Sequence, residues 1–149
     1  MEQIFHVEVG ETAEFSKTLT ETDLAQFAAL SGDYDPIHVD EAHARTTPFG
    51  RRIAHGILAM ALLSTVSAMI SRRARDRGSR GTSVSLGYDR IRFLAPVFVG
   101  DRLTARYTIL ELDAASRRSR SKVEVVKDSG EVAVAGEHVM KWLPEAQET

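Results

Sequence analysis

The chain has 149 residues, of which 43% are hydrophobic and 27% charged, and its formal net charge is −2. This length fits one domain, predicted to span residues 1–149, with enough chain to bury a core. The small net charge gives no reason to expect a nucleic-acid partner. Because the sequence contains no cysteine, disulfides, cysteine metal ligands and thiol nucleophiles are excluded.

Two segments bear on the location of the protein. The first residues, MEQIFHVEVGETAEF, lack a basic stretch followed by an apolar run, so we expect no signal peptide and a cytoplasmic protein. Residues 53–70, IAHGILAMALLSTVSAMI, meet the lower length limit for a membrane span. Since they include histidine, glycine, serine and threonine, we interpret them as a helix buried on all sides in a globular core. No membrane partner is expected.

In chain order, the first predicted elements are two short strands around Gly10, IFHVEV and AEFSKTLT. A helix follows, capped by Thr20 or Thr22 and ended by Gly32. Its apolar residues share one face: Leu24, Phe27, Ala28 and Leu30.

The next segment, SGDYDPIHVD at residues 31–40, is predicted to be a polar loop, because Asp35 precedes Pro36 and is held extended. A short helix in DEAHARTT and a turn in PFGRR follow. The long apolar helix runs from about Ala54 to Arg75 and ends in cations, which favour a helix C-terminus. Its apolar residues recur every four positions: Leu58, Leu62, Val66 and Ile70.

The rest of the chain has the pattern of strands. TSVSLGYDRIRFLAPV, broken by Pro96, is followed by DRLTARYTILELD. RSRSKVEVVKDSG and EVAVAGEHVMKWL then form a hairpin that turns at residues 128–130. One long apolar helix with several antiparallel strands predicts an α+β fold whose sheet wraps around the helix. Its edge strands favour pairing with a second copy of the chain.

Asp33 and His38 are the first candidates for chemistry. Five positions apart, they would point away from each other on a regular helix, but in a loop bent by Pro36 they can converge. A carboxylate and an imidazole that share a water molecule can hold it and exchange a proton with it. The alternative is that Asp33 caps the turn and His38 is a structural surface residue.

Gly56, at the start of the long helix, is the second candidate. The first amides of a helix have no internal partner and lie at the positive end of its dipole, so this amide can hold a carbonyl oxygen that gains negative charge. Alternatively, Gly56 lets a neighbouring segment pack closely. His55 is interpreted as a satisfied structural imidazole, and Ser64, considered alone, as a small buried residue bonded to a backbone carbonyl.

Other clusters give weaker signals. His38, Asp40 and His43 only distantly resemble metal-ligand spacing, and no metal is expected. The arginine-rich stretches RRARDRGSR and RRSRSK fit a solvated surface; a second hypothesis is that one of them meets the phosphates of a nucleotide-bearing substrate. The sequence has no glycine-rich dinucleotide fingerprint, Walker loop or G-x-S-x-G elbow.

Three stretches together resemble one family: FAALSGDYDPIHVDEAHA, RRIAHGILAMALLS and RIRFLAPVFVGDRLTARYTI. They are similar to the MaoC-like dehydratases, whose members include the (R)-specific enoyl-CoA hydratases, and the resemblance runs from about residue 20 to about residue 112. It implies a hot-dog fold, in which an antiparallel sheet wraps around one long central helix. It also implies a homodimer or higher homo-oligomer that acts in fatty acid metabolism.

The resemblance implies a reaction as well: reversible syn addition of water to a trans-2-enoyl-CoA, giving an (R)-3-hydroxyacyl-CoA. By similarity, Asp33 and His38 activate the water, the Gly56 amide binds the thioester oxygen, and Ser64 matches a helix serine near that site. No metal or organic cofactor is implied, since CoA is part of the substrate. Many relatives carry Asn where this chain has Asp35, whose carboxylate can raise the pKa of a nearby acid or imidazole, or point into solvent.

Two alternatives remain open. A hot-dog acyl-CoA thioesterase usually relies on a carboxylate on the long helix, and residues 54–70 contain none. A non-catalytic acyl-thioester-binding subunit would have no reason to keep Asp33, His38 and Gly56 together.

Overall fold

The structure, a computed structural model, describes residues 3–146. One antiparallel sheet is built from β1 (Thr12–Thr18), β2 (Thr82–Phe93), β3 (Arg102–Asp113), β4 (Arg118–Lys127) and β5 (Val132–Leu143). The helices are α1 (Glu21–Ser31), α2 (Pro36–Val39), α3 (Glu41–Ala44) and α4 (Gly56–Asp76).

The five strands lie in the order β1-β3-β4-β5-β2, and every neighbouring pair is antiparallel. Two irregularities in β2 shift its register against β5, as bulges that bend a strand do. The long helix α4 packs against all five strands and buries one stripe of its surface there. That stripe consists of Ala59, Leu63, Val66, Ser67, Ile70 and Ala74. The predicted α+β arrangement, a sheet wrapped around one long helix, is confirmed.

The helix α4 differs from its prediction in one respect, because it is not buried on all sides. A second stripe is exposed along its length, formed by Ile57, Ala61, Ser64 and Ala68. The reason is that the sheet of a single chain covers only one face of the helix. By length and apolar composition alone, α4 would pass for a membrane span, but its apolar stripe forms part of the core of the fold.

The first predicted strand, IFHVEV, is wrong. His6 has a left-handed backbone with a φ of 53°, which a strand does not accommodate. Its ring Nδ1 lies 3.2 Å from the Arg77 carbonyl oxygen, and the Arg77 guanidinium donates to the His6 carbonyl oxygen. Polar groups of this segment therefore pair with the end of α4 instead of with a neighbouring strand.

The ends of α1 follow their prediction. The Thr20 side chain accepts from the Asp23 amide, the Asp23 carboxylate accepts from the Thr20 amide, and Gly32 ends the helix with a φ of 78°. The predicted apolar face is partly wrong, because Leu24 and Ala28 are buried whereas Leu30 is 86% exposed. Further along, Pro36–Val39 forms a short helix inside the predicted loop.

A polar cluster lies within the core beside β5. His138 is fully buried, with Nδ1 2.8 Å from the Tyr107 hydroxyl and Nε2 2.7 Å from the Ser85 hydroxyl. A neutral imidazole offers one donor and one acceptor, and a hydroxyl can match either, so both contacts are satisfied without charge. Burial lowers the pKa of His138 to about 4.

This shift predicts a dependence of stability on pH. Between about 6.5, the ordinary imidazole pKa, and about 4, the unfolded chain binds a proton that the folded chain excludes. The free energy of unfolding therefore falls as the pH is lowered through this range, by up to about 3 kcal/mol. In His138→Gln this part of the decline is expected to disappear in urea denaturation. The exposed-histidine control, His43→Gln, should keep it. Equal pH profiles for His138→Gln and the unsubstituted chain would contradict the assignment.

Candidate active site

Asp33, His38 and His55 come together at the start of α4, although they lie in three different segments. Gly32 ends α1 and turns the chain, and the Asp33 Oδ1 atom then accepts from the Asp35 amide at 3.1 Å. That bond holds the turn leading into α2, which carries His38. The expectation that the two predicted residues converge is confirmed, and so is the turn-capping alternative for Asp33, because its two carboxylate oxygens have separate roles.

The second oxygen, Asp33 Oδ2, faces two imidazoles. It lies 3.9 Å from Nε2 of His38 and 3.9 Å from Nε2 of His55. Both distances are too long for direct hydrogen bonds and suit contacts completed by a water molecule or a ligand. The side chain of Asp33 is 50% exposed, whereas those of His38 and His55 are largely buried. The carboxylate therefore borders solvent while the imidazoles are held by the protein.

Backbone carbonyl groups fix which nitrogen of each ring carries a proton. His38 Nδ1 lies 2.8 Å from the Ile53 carbonyl oxygen, and His55 Nε2 lies 2.9 Å from the Asp33 carbonyl oxygen. Because a carbonyl only accepts, each of these nitrogens is the donor. In its neutral form His38 therefore presents a bare Nε2 toward the Asp33 carboxylate. The two rings are opposite tautomers.

His55 holds this arrangement in place. Its ring stacks on His38 with centroids 3.8 Å apart and also contacts Phe27, with centroids 4.8 Å apart. The sequence interpretation of a structural imidazole is correct, but not that of a satisfied one: within residues 3–146, the buried Nδ1 has no hydrogen-bond partner. Sequence reasoning missed that this residue fixes the backbone of Asp33. The only signal was its position directly before Gly56.

Gly56 is the first residue of α4. The His55 carbonyl oxygen accepts from the Leu58 and Ala59 amides, as expected at a helix start. In the described part of the chain, the Gly56 amide donates to no acceptor. It lies at the positive end of the dipole of a helix of 21 residues, so it can donate to a ligand oxygen that gains negative charge.

A cavity of about 350 Å³, called the Gly56 cavity below, adjoins this amide. It is lined by Phe49, Ile53, Ala54, Gly56, Ala59, Phe93, Leu94, Ala95, Pro96, Val97, Ala133 and Val134. Asp33, His38 and His55, called the acid–imidazole group below, lie beside this cavity. They are connected to it through the Ile53 carbonyl and the start of α4. A Cβ atom on Gly56 would lie 2.8 Å from the Phe93 ring. The residue therefore serves close packing and also offers its amide.

Comparison with known sequences identifies the family. Residues 5–133 match the family described as the MaoC like domain. The chain belongs to this family.

Individual MaoC-like relatives resemble the chain over most of its length. The (R)-specific enoyl-CoA hydratase of Aeromonas caviae is 37% identical over 135 residues, which is 91% of this chain and 95% of that protein. The 3-hydroxybutyryl-CoA dehydratase of Methylorubrum extorquens is 34% identical over 95% of this chain and 84% of its own length. The unliganded R-hydratase PhaJ1 of Pseudomonas aeruginosa superposes with a TM-score of 0.79 at 37% identity, covering 96% of this chain and 87% of that one. These relatives confirm the predicted hot-dog fold.

The fourth predicted site residue, Ser64, does not join the acid–imidazole group within the chain. It lies eight residues beyond Gly56, which is about 12 Å along the helix axis. Its side chain belongs to the exposed stripe of α4, not to the buried one, so the expectation of a buried serine is wrong. Its part in binding substrate stays a prediction.

Asp35 has a local role. Its side chain accepts from the Ile37 amide at 3.1 Å and caps α2. Among the described residues it forms no ion pair with either site histidine. Asn caps helices as well as Asp does, so Asn at this position would keep the cap.

Among the described residues, one cluster could hold a metal ion. It consists of Asp33, His38 and His55, whose ligand atoms lie within 4.8 Å of one another. The donor set fits a metal poorly. His55 Nε2 already donates its proton to the Asp33 carbonyl, so it could bind an ion only by losing that bond. Two ligands would remain, fewer than zinc sites use. Asp40 and His43, considered from the sequence, instead make a capping contact, with the carboxylate accepting from the His43 amide at 3.0 Å.

Arg52 clamps the segments that carry the site. Its guanidinium pairs with Glu21 on α1 and with Glu41 on α3, and it donates to the His38 carbonyl oxygen at 3.4 Å. The hydrogen bond that Arg52 donates to Glu21 is the main cause of its raised pKa, and its hydrogen bond to Glu41 raises the pKa further. One partly buried cation thus connects three helices around the site.

Proposed function

We propose that this chain is an (R)-specific enoyl-CoA hydratase, which adds water reversibly to a trans-2-enoyl-CoA and yields an (R)-3-hydroxyacyl-CoA. The observation that carries the proposal is the 3.9 Å approach of the Asp33 carboxylate to the bare Nε2 of His38, beside the unpaired amide of Gly56. Two relatives support it by name, one as an (R)-specific enoyl-CoA hydratase and one as a 3-hydroxybutyryl-CoA dehydratase. These names describe opposite directions of the same kind of reaction.

In the proposed mechanism, a water molecule lies between Asp33 and His38. His38 Nε2 takes one proton from the water as the oxygen bonds to C3 of the enoyl group. The electron pair of the double bond moves onto the thioester oxygen, where the Gly56 amide stabilises the negative charge. The imidazolium then returns the proton to C2. One hydroxyl and one hydrogen are thus added from the same side, which agrees with syn addition.

The other residues of the site act by positioning. The Asp33 carboxylate orients the water and stabilises the imidazolium. The proton on His38 Nδ1 stays there throughout, hydrogen-bonded to the Ile53 carbonyl, so the exchange runs through Nε2 alone. His55 holds the Asp33 backbone and supports the His38 ring from one face. We propose that neither a metal nor an organic cofactor takes part, since this set of groups covers each charge that develops.

We further propose a cytoplasmic enzyme of fatty acid metabolism that works as a homodimer or higher homo-oligomer. Strand β2 lies at one edge of the sheet, paired only with β5. It carries exposed apolar side chains at Val84, Leu86 and Phe93, and Ile57 on the second, exposed stripe of α4 is apolar as well. Apolar edges of this kind are normally covered. A second copy would also close the open side of the Gly56 cavity, since Phe93 lines it.

Light scattering of the purified chain tests the assembly. The expected mass is that of two or more chains. A mass of one chain at the concentrations used for enzyme assays would contradict the proposed oligomer and leave the proposed chemistry to be judged by the assay below.

The alternative functions have less support. A thioesterase of this fold would need a carboxylate near the start of α4, but the acid of this helix is Asp76, about 30 Å along the axis from Gly56. A non-catalytic acyl-thioester-binding subunit would not require the opposed tautomers and the bare amide that this chain combines.

Substitutions within one loop test the proposed chemistry. After dialysis against EDTA, the protein is expected to consume the enoyl-thioester absorbance of crotonyl-CoA. Asp33→Asn and His38→Ala should each slow this by about a hundredfold or more, because the first removes the charge that stabilises the imidazolium and the second removes the base. Asp35→Asn is the matched control; it changes a carboxylate two residues away but keeps the helix cap, so its rate should match that of the unsubstituted chain.

The other outcomes identify the alternatives. Full activity in both Asp33→Asn and His38→Ala would remove the acid–imidazole mechanism. Release of free thiol would favour the thioesterase, and binding of crotonyl-CoA without turnover would favour the non-catalytic subunit. Activity lost on EDTA treatment and restored by a metal would contradict the metal-free mechanism.

A further inference from the structure

Arg51 lies in the chain between Phe49 and Ile53, two residues that line one wall of the Gly56 cavity. That wall is formed by Phe49, Ile53 and Ala54, and the other by residues 93–97. The Ala54 amide donates to the Val97 carbonyl oxygen at 2.7 Å and joins the two walls. Next to this bond, the guanidinium of Arg51 stacks on the ring of Phe98, 3.9 Å from its centroid. Stacking of this kind restricts a long side chain that would otherwise be mobile.

The Phe98 ring is itself fixed. The backbone amide of Phe98 donates to the Asp101 carboxylate at 2.9 Å, and that carboxylate pairs with Lys127 at 3.0 Å. The Lys127 ammonium also donates to the Pro96 carbonyl oxygen, and it lies 5.2 Å from the centroid of the same ring. Arg51 is therefore held against a rigid platform that adjoins, along the chain, the segments lining the cavity.

The charge of Arg51 is not neutralised by the protein. The side chain is exposed, and among residues 3–146 no carboxylate forms an ion pair with it. Its neighbour Arg52 differs, since two glutamates pair with it, and Lys127 has Asp101 and Glu131 as partners. An ordered cation without a counter-ion in the described chain, near a cavity lined by Gly56 with its unpaired amide, calls for an anionic ligand.

We propose that Arg51 binds a phosphate group of the coenzyme A moiety, an inference that rests on the proposed function. With the thioester at Gly56, the pantetheine arm of coenzyme A must lead out of the cavity. The phosphates of coenzyme A then lie toward the exterior. A planar guanidinium can donate two parallel hydrogen bonds to phosphate oxygens, and stacking on Phe98 leaves its donor edges free. This contact would select for CoA thioesters over uncharged thioesters.

The arginine-rich stretches singled out from the sequence are poorer candidates. The stretch RRARDRGSR lies at the far end of α4, about 30 Å along the axis from Gly56. Arg73 and Arg77 within it pair with Glu11. In the other stretch, Arg120 pairs with Glu111 and Glu137. The phosphate hypothesis therefore moves from these clusters to Arg51.

The test compares crotonyl-CoA with crotonyl-pantetheine, which carries the same reacting group but no phosphate. Arg51→Gln is expected to lower kcat/KM for crotonyl-CoA about tenfold, through KM with kcat retained, because it removes a charge-assisted hydrogen bond to substrate. With crotonyl-pantetheine its kcat/KM should equal that of the unsubstituted chain. Arg75→Gln removes one exposed positive charge at the far end of α4, and it should change neither value. Added salt should reduce the difference in kcat/KM for crotonyl-CoA between Arg51→Gln and the unsubstituted chain.

A third substrate separates the possible sources of the phosphate. With crotonyl-4′-phosphopantetheine, an equal loss in Arg51→Gln assigns the contact to the phosphate that carrier proteins also present. A loss confined to crotonyl-CoA assigns it to the nucleotide phosphates. Equal losses with crotonyl-CoA and crotonyl-pantetheine, or no loss with either, would overturn the proposal while leaving the hydratase function intact.

If the unsubstituted chain hydrates none of these thioesters, the proposed function fails and binding decides the phosphate site. Calorimetry with CoA alone should then show weaker binding to Arg51→Gln than to the unsubstituted chain and to Arg75→Gln. Equal affinities in all three proteins would overturn the phosphate site as well.

Discussion

Two backbone carbonyl groups determine what the candidate site can do. The Ile53 carbonyl accepts a hydrogen bond from Nδ1–H of His38, and the Asp33 carbonyl accepts one from Nε2–H of His55. As a result the bare nitrogen of His38 faces the Asp33 carboxylate, while the bare nitrogen of His55 is buried without a partner in the described chain. A histidine pair of the same shape with the other tautomers would offer the carboxylate a donor where the mechanism needs a base.

The fold supplies these carbonyls by closing a polar loop onto the start of α4. Gly32 reverses the chain after α1, and one oxygen of Asp33 holds the turn while the other faces the imidazoles. The same helix start presents the Gly56 amide. Acid, base and oxyanion donor therefore depend on the position of a single helix end, which the five-stranded sheet fixes by packing against the buried stripe of α4.

Some of this follows from local sequence and some does not. Gly32 readily adopts the left-handed conformation that ends α1, and Pro36 fixes its own φ, so the turn and the convergence of Asp33 with His38 could be predicted. The capping of α1 and the hairpin turn at residues 128–130 are local in the same way. The first strand failed because His6 pairs with Arg77, more than seventy residues away along the chain. No local pattern contains that contact.

The site was predicted incompletely for a related reason. His55 was recognised as structural, but its hold on Asp33 depends on a contact between segments 22 residues apart. Arg51 was not singled out at all, because its importance comes from a comparison: its neighbour Arg52 has two carboxylate partners, and Arg51 has none in the described chain. A sequence gives the number of charges, whereas only the packed chain shows which of them are neutralised.

The most direct measurement of the central claim is a long-range nitrogen–proton correlation spectrum of protein with isotope-labelled histidine, recorded at a pH above the range in which imidazoles titrate. His38 is expected as the Nδ1–H tautomer and His55 as the Nε2–H tautomer, assigned by comparison with His38→Ala and a His55 variant. The opposite tautomer at His38, or rapid exchange between both forms at this residue, would place a proton where the reaction requires a free electron pair, and would contradict the account.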